Sequence, residues 1–334
     1  MDVRYFYFLL FYTLVCYSQT ETEPKLFTLE ANAYYGSIIR HNSDVAHLIT
    51  NHPDGLILAL NRKRYGQNEW EQLYGYPDTG LTFVYQDMNN SILGHNYSLY
   101  AHYNFYFLKR SLQFRIGQGL AYTTSPYDKN ENFRNNAYGS SIMSSTFFML
   151  NYHRARILEG LGFKAGISII HYSNANVKAP NTSTNTFAFN AGFIYDLNAE
   201  KEIEYIRHDL EKITEPVRYN LAFRSGVNES DVVNSGQFPF YIMSFYADKR
   251  LSRRSAIQLG ADFFFSNFLK ELIRYQSISF PELNVDPDTD YKRIGLFLGH
   301  ELFISKLSII AQLGYYVYYP FDFEGKTYVR IGLK

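Results

Sequence analysis

The sequence predicts an all-β protein, a transmembrane antiparallel up-and-down β-barrel of about fourteen strands, within a range of twelve to sixteen. Three observations carry this expectation. First, apolar residues past residue 26 recur at every second position, which is the strand period, because successive side chains leave opposite faces. Second, the 334 residues hold 31 tyrosines and 28 phenylalanines, while only 19% are charged and mean hydropathy is −0.26. Third, no run of about 20 apolar residues follows the amino terminus, so a bundle of membrane-crossing helices is excluded. Alternating, aromatic-rich segments of about ten residues suit a barrel that meets lipid on one side and its own lumen on the other. A soluble sandwich would also alternate, but it would rarely carry so many tyrosines.

Residues 1–18 read as an export signal. Arg4 precedes the apolar stretch Tyr5 to Val15, and the polar Thr20 to Lys25 follow, with cleavage expected near Ser18-Gln19. The competing lipoprotein reading of Leu14-Val15-Cys16 fails on Val15, which is too bulky for the small residue expected before such a cysteine. The sole cysteine, Cys16, lies inside the signal, so no disulfide or cysteine metal site is expected in the mature chain, and separately no cofactor is expected. Residues 19–334 are expected to form a single outer-membrane β-barrel domain without repeat or linker. With 32 basic against 32 acidic residues there is no electrostatic footprint for nucleic acid.

The candidate strands, in order, are 27–40, 56–65, 80–87, 92–109, 111–122, 142–156, 160–173, 186–197, 217–227, 237–249, 253–266, 291–304, 306–319 and 326–334. The fourth shows the pattern clearly. Tyr97, Leu99, Ala101, Tyr103 and Phe105 fall on one face, and Asn96, Ser98, His102 and Asn104 fall on the other. From a periplasmic start, odd strands run outward and the longer loops belong at their far ends. Connections 41–55, 123–141, 174–185, 228–236 and 267–290 obey this parity. Connections 66–79 and 198–216 do not; the second, rich in Glu and Lys, suggests a polar helical turn or the base of a longer hairpin.

One constellation carries chemistry. The apolar phase of the seventh strand, Leu161 to Ile169, continues into His171 and Ser173, so both side chains leave the same lipid-facing surface. Stepping back from Phe187 on the eighth strand puts Asn185 on that surface too. A serine hydroxyl attacks only when a base takes its proton, and imidazole is that base near neutrality. The base needs a partner that fixes its tautomer, and Asn185 can accept from the ring N–H without adding charge.

These residues resemble a known active site. His171-Tyr172-Ser173-Asn174-Ala175, followed by Pro180-Asn181, is similar to the site of the outer-membrane lipid A 3-O-deacylases, the PagL-type acyloxyacyl hydrolases. The resemblance implies that His171 and Ser173 are base and nucleophile, with Asn174, Ala175 and Asn181 in the oxyanion and substrate region. It departs at Asn185, where the deacylases carry a glutamate. The outer-membrane phospholipase A family has an asparagine at that position, so the resemblance implies a substrate among the acyl esters of lipid A or of glycerophospholipid. The deacylases are eight-stranded, so the resemblance covers about the first eight strands and leaves residues from about 198 as additional strands.

The expected function is therefore an outer-membrane serine esterase of the bacterial cell, acting on acyl chains of lipid A in the outer leaflet. The alternatives are a phospholipase A and a non-enzymatic pore or structural barrel. His41, His47 and His52 share one loop, but their spacing matches no usual metal-ligand set, and a solvated loop is expected. His95 and His102 are expected as rim or lumen groups. Tyr315 to Tyr319 are expected in the interfacial aromatic girdle.

Overall fold

The computed structural model describes residues 25–229 and 233–334; the expected export signal and Cys16 lie outside them. Fourteen strands alternate up and down: β1 Phe27–Ile38, β2 Asp54–Arg62, β3 Asp78–Asp87, β4 His95–Phe107, β5 Leu112–Thr123, β6 Ile142–Leu158, β7 Leu161–Ser173, β8 Thr184–Asp196, β9 Arg218–Glu229, β10 Gln237–Ser252, β11 Ser255–Ser266, β12 Arg293–Ile304, β13 Leu307–Tyr318 and β14 Thr327–Leu333. They do not make one continuous ring. Strand β8 pairs back onto β1 from Thr28↔Asp196 to Ile38↔Thr186, which closes β1–β8 into a barrel. With both neighbours of β8 occupied, β9 has no edge to join, and β9–β14 form a separate six-stranded sheet.

Period-two patterning sets the faces. On β4, Tyr97 and Leu99 are exposed, while Asn96, Ser98, Tyr100, His102 and Asn104 are buried. In an aqueous protein this would be inside out; in a bilayer it is the stable arrangement, because lipid takes the apolar band. An eight-stranded barrel has room only for side chains, and they fill it. Toward the turn end, the Glu30 carboxylate accepts from Arg115 Nη2 at 2.7 Å and Lys164 Nζ at 2.6 Å, and all three side chains are fully buried. Asn61, Asn104, Gln113 and Thr82 take the remaining hydrogen bonds. His102 joins this network through Asn61 at 2.8 Å, whereas His95 sits at the rim beside Tyr85 and Asp87. Toward the loop end the filling turns apolar: Tyr34, Ile57, Tyr100, Phe147, Ile170 and Tyr172 pack together, with Val45, Leu48, Ala137 and Tyr138 from the loops closing the mouth. A side chain at Gly166 would meet the Leu150 carbonyl at 2.1 Å and Asn151 Oδ1 at 2.6 Å, so this inward position has space only for hydrogen.

The two connections that break the parity bind one another. Residues 66–79 contain a short helix, α1 (Glu69–Leu73), and residues 198–216, after one hydrogen-bonded turn closed by Lys201 N–H on the Asn198 carbonyl, run beside it without regular structure rather than as a hairpin base. Ile206 N–H donates to the Tyr65 carbonyl at 2.8 Å, His208 and Gln72 exchange hydrogen bonds, and Tyr76 Oη donates to the Ile206 carbonyl. The same helix anchors the second sheet, through Arg253 on Glu69 at 2.5 Å and Tyr74 Oη on the Phe303 carbonyl at 2.7 Å. Their length is thus explained by a junction at the turn end. Connection 267–292 also holds a helix, α2 (Asn267–Ser279), which buries Phe268, Leu269 and Ile273.

The six-stranded sheet is strongly curled. Tyr328 Oη and Arg330 Nη2 on β14 reach Asp262 on β11 at 2.6 and 2.8 Å. Strands three places apart are about 14 Å apart in a flat sheet, so these bonds need a half-barrel curvature. Its inner face carries Ser244, Gln258, Asp262, Glu301 and Gln312; its outer face carries Tyr219, Leu221, Leu259, Leu298, Leu313 and Ile331. Tyr315 and Tyr318 face outward in this band while Tyr316 is buried on the inner side.

Candidate active site

The β7–β8 register pairs His171 directly with Asn185. Both lie on the outward phase, half-exposed, between buried neighbours. Those neighbours fix them. Tyr172, between His171 and Ser173, points into the core, where its ring meets Tyr138 and its hydroxyl meets Ser98 at 3.1 Å. Thr184 and Thr186 flank Asn185 and are held inside by Tyr138 at 2.6 Å and by Gln86 at 2.9 Å. The polar outward groups therefore inherit their positions from a packed interior.

His171 Nδ1–H donates to Asn185 Oδ1 at 2.8 Å. That bond selects the tautomer with a bare Nε2, the form able to take a proton. Ser173 Oγ is engaged within the 174–183 loop: it donates to Asn181 Oδ1 at 3.2 Å and receives the Ala175 N–H at 3.1 Å and Asn181 Nδ2 at 3.0 Å. No hydrogen bond joins Ser173 to His171 among the described residues. Two donors thus converge on the serine oxygen. Ala175 and Asn176, at the turn that carries this N–H, are both left-handed, with φ of 57° and 59°, a costly backbone for residues other than glycine.

Asn174 is engaged within the loop. Its side chain is buried and Nδ2 donates to the Lys178 carbonyl at 2.6 Å, while its N–H is occupied by Asn181 Oδ1 at 2.9 Å. It folds the loop, leaving Ala175 and Asn181 as the donors near Ser173.

The geometry adds two residues that sequence reasoning missed. His41 Nε2 meets the Thr182 carbonyl at 2.9 Å, and its Nδ1 lies 3.2 Å from the Ile39 carbonyl and 3.3 Å from Asn185 Nδ2, so His41 is structured beside the site rather than merely solvated. His47 and His52 bond elsewhere, to the Arg134 carbonyl and to Ser37, and the described residues hold no cluster of three or more metal-capable side chains. Glu229, at the tip of β9, is buried against the loop: its carboxylate accepts the Ala179 N–H at 2.9 Å and its own N–H donates to the Asn176 carbonyl at 2.8 Å. The second sheet thus braces the loop that holds Ser173.

Two family models match the chain. Residues 54–193 match the lipid A 3-O-deacylase (PagL) model, and residues 217–334 match the acyloxyacyl hydrolase C-terminal domain. No curated protein sequence matches. Among solved structures, the outer-membrane enzyme PagL aligns at 18% identity and a TM-score of 0.33, covering 49% of this chain and 97% of its own. The NanC porin aligns at 8% identity and a TM-score of 0.17 over 92% of this chain and 98% of its own. OprB of Pseudomonas putida aligns at 6% identity and 0.21 over 93% and 92%. One family model covers most of the closed barrel and the other covers the curled sheet, so the chain belongs to the PagL-type lipid A deacylase (acyloxyacyl hydrolase) family and is an ester hydrolase of the outer membrane.

Proposed function

We propose that the chain removes an acyl chain from lipid A through Ser173 as nucleophile, His171 as general base and Asn185 as the group that orients the base. The observation that carries this reading is the His171–Asn185 hydrogen bond across one register pair, which leaves Nε2 bare on the outward face that Ser173 shares. Rotation of the Ser173 hydroxyl out of its loop contact lets it donate to Nε2. Oγ then attacks the acyl carbonyl while the proton moves to His171. The Ala175 N–H and Asn181 Nδ2 hold the developing oxyanion. Collapse of the tetrahedral species returns the proton to the sugar hydroxyl that leaves, and water releases the fatty acid by the same steps in reverse order. An outward site suits a substrate whose acyl chains already lie in the surrounding leaflet. No cofactor enters this scheme.

Glycerophospholipid is the second reading, because an asparagine rather than a glutamate orients the base. Mass spectrometry of lipid A and of phospholipid from cells with and without the protein separates the two. Ser173→Ala and His171→Ala should each lower ester hydrolysis about a thousandfold or more, and the double variant should be little worse, because the pair acts as a unit. Wild-type turnover by Ser173→Ala on both lipids would refute the assignment.

A further inference from the structure

The half-barrel leaves one edge of each of two strands unpaired among the described residues. Strand β9 pairs only with β10 and strand β14 only with β13. Apart from the Glu229 contact at its tip, no backbone bond is made along the free edge of β9 among the described residues. Inside a bilayer, open sheet edges do not persist, since no water is present to satisfy their N–H and carbonyl groups. Nor are these edges blunted. Residues 218–229 and 327–333 contain neither lysine nor proline, and their pairings run without the bulges found in β10–β11 and β12–β13. Natural sheets that must remain unpaired carry such protection.

The faces point the same way. Tyr219, Leu221 and Phe223 on β9, and Val329, Ile331 and Leu333 on β14, expose a continuous apolar band. The opposite face is charged, with Arg224, Asp262, Glu301 and Arg330. A polar concave face open to lipid is expensive, whereas a closed lumen shelters it. The eight-stranded barrel does not supply that closure. Its outer wall, through Leu60, Leu81 and Tyr103, lines a groove with Leu307, Ile309 and Leu333 on the apolar outer side of the sheet, which leaves the inner face free.

We infer that a second copy of this chain closes the half-barrel, β9 of each copy pairing with β14 of the other to give a shared twelve-stranded barrel flanked by two eight-stranded ones. Strand direction permits it. By alternation β9 and β14 run in opposite senses, and a two-fold axis along the barrel preserves up and down. Each seam is therefore antiparallel, and the two seams are identical. The total is even, as single-chain barrels of this class are.

The test uses the full chain in outer membranes. In a Cys16→Ser background, Leu221→Cys or Phe223→Cys is placed in one tagged copy, and Val329→Cys or Ile331→Cys in a differently tagged copy. The two are co-expressed and treated with a short bifunctional maleimide. A covalent dimer bearing both tags is expected from at least one combination, and none from either single-site chain alone, since β9 never meets β9. Native mass spectrometry of the unaltered chain from mild detergent should give a dimer. A monomeric mass, or, in a further variant carrying both cysteines in one chain, cross-links that stay within that chain, overturns the inference in favour of self-closure. Linkage of the β9 and β14 cysteines to another protein overturns it as well.

Discussion

Replacing Glu30 by glutamine should unfold the closed barrel more readily than any single change on its surface. Glu30 is the only anion touching Arg115 and Lys164 among the described residues, and it meets each through a charge-assisted hydrogen bond in a fully buried site. Such bonds contribute about 1.5–3 kcal/mol each. Removing one partner of a buried pair costs about 3–5 kcal/mol because the other charge is left uncompensated. Here two cations are stranded, so the loss should reach the upper part of that range. The amide keeps the shape and can still meet Asn61 and Gln113, which isolates charge from volume. The measurement is urea unfolding in lipid vesicles, followed by fluorescence of Trp70, the single tryptophan, which sits in α1 at the turn end. The combined variant Glu30→Leu, Arg115→Met, Lys164→Met should recover most of the loss, since apolar replacement of a complete buried network is often neutral. A shift under about 1 kcal/mol for Glu30→Gln would refute the claim that this triad is mutually dependent.

Three further outcomes follow from the geometry. Asn185→Ala should lower turnover about 10- to 100-fold, less than Ser173→Ala, while Asn185→Glu should retain or raise it; steady-state kinetics on one acyl ester in detergent compares them. Glu229→Ala removes the brace on the 174–183 loop and should lower kcat about tenfold or more with unchanged unfolding of the closed barrel, as small misplacements of reacting groups are costly. By contrast, Glu69→Ala breaks a largely exposed ion pair with Arg253 and should change stability by no more than about 1 kcal/mol in the same urea assay.

Most of the fold was legible because the bilayer imposes a strict alternation. The fourteen strands stand where the period-two segments put them, and the outward phase of His171, Ser173 and Asn185 follows from counting residues by twos. What escaped was set by long-range pairing. Whether β8 meets β1 or β9 is not written in either strand alone, so a continuous fourteen-stranded ring and an eight-plus-six division share one local pattern. His41 was placed in a solvated loop for the same reason: it lies 144 residues from Asn185, and only closure of β1 on β8 makes them neighbours. The 66–79 and 198–216 connections gave no periodic signal, because each is ordered by hydrogen bonds to the other rather than by its own side-chain pattern. Helix α2 lies in the 267–290 connection, which the sequence predicts as a loop; its buried Phe268, Leu269 and Ile273 follow directly on the aromatic run that ends β11, so no separate periodic signal marks it.

An amide at position 185 has a physical logic that this neighbourhood makes visible. The side chain has two neighbours on opposite sides: the His171 N–H, which needs an acceptor, and the His41 ring, whose Nδ1 lies 3.3 Å from Asn185 Nδ2 and 3.2 Å from the Ile39 carbonyl. Asparagine offers one acceptor and one donor and satisfies both without charge. A carboxylate offers acceptors only and so loses the donor that Asn185 Nδ2 turns toward His41. It would also place a permanent charge at the membrane-facing rim, where desolvation is costly unless a cation pairs with it. Glutamate at this position is thus favoured by the chemistry of the developing imidazolium, and asparagine by the surroundings.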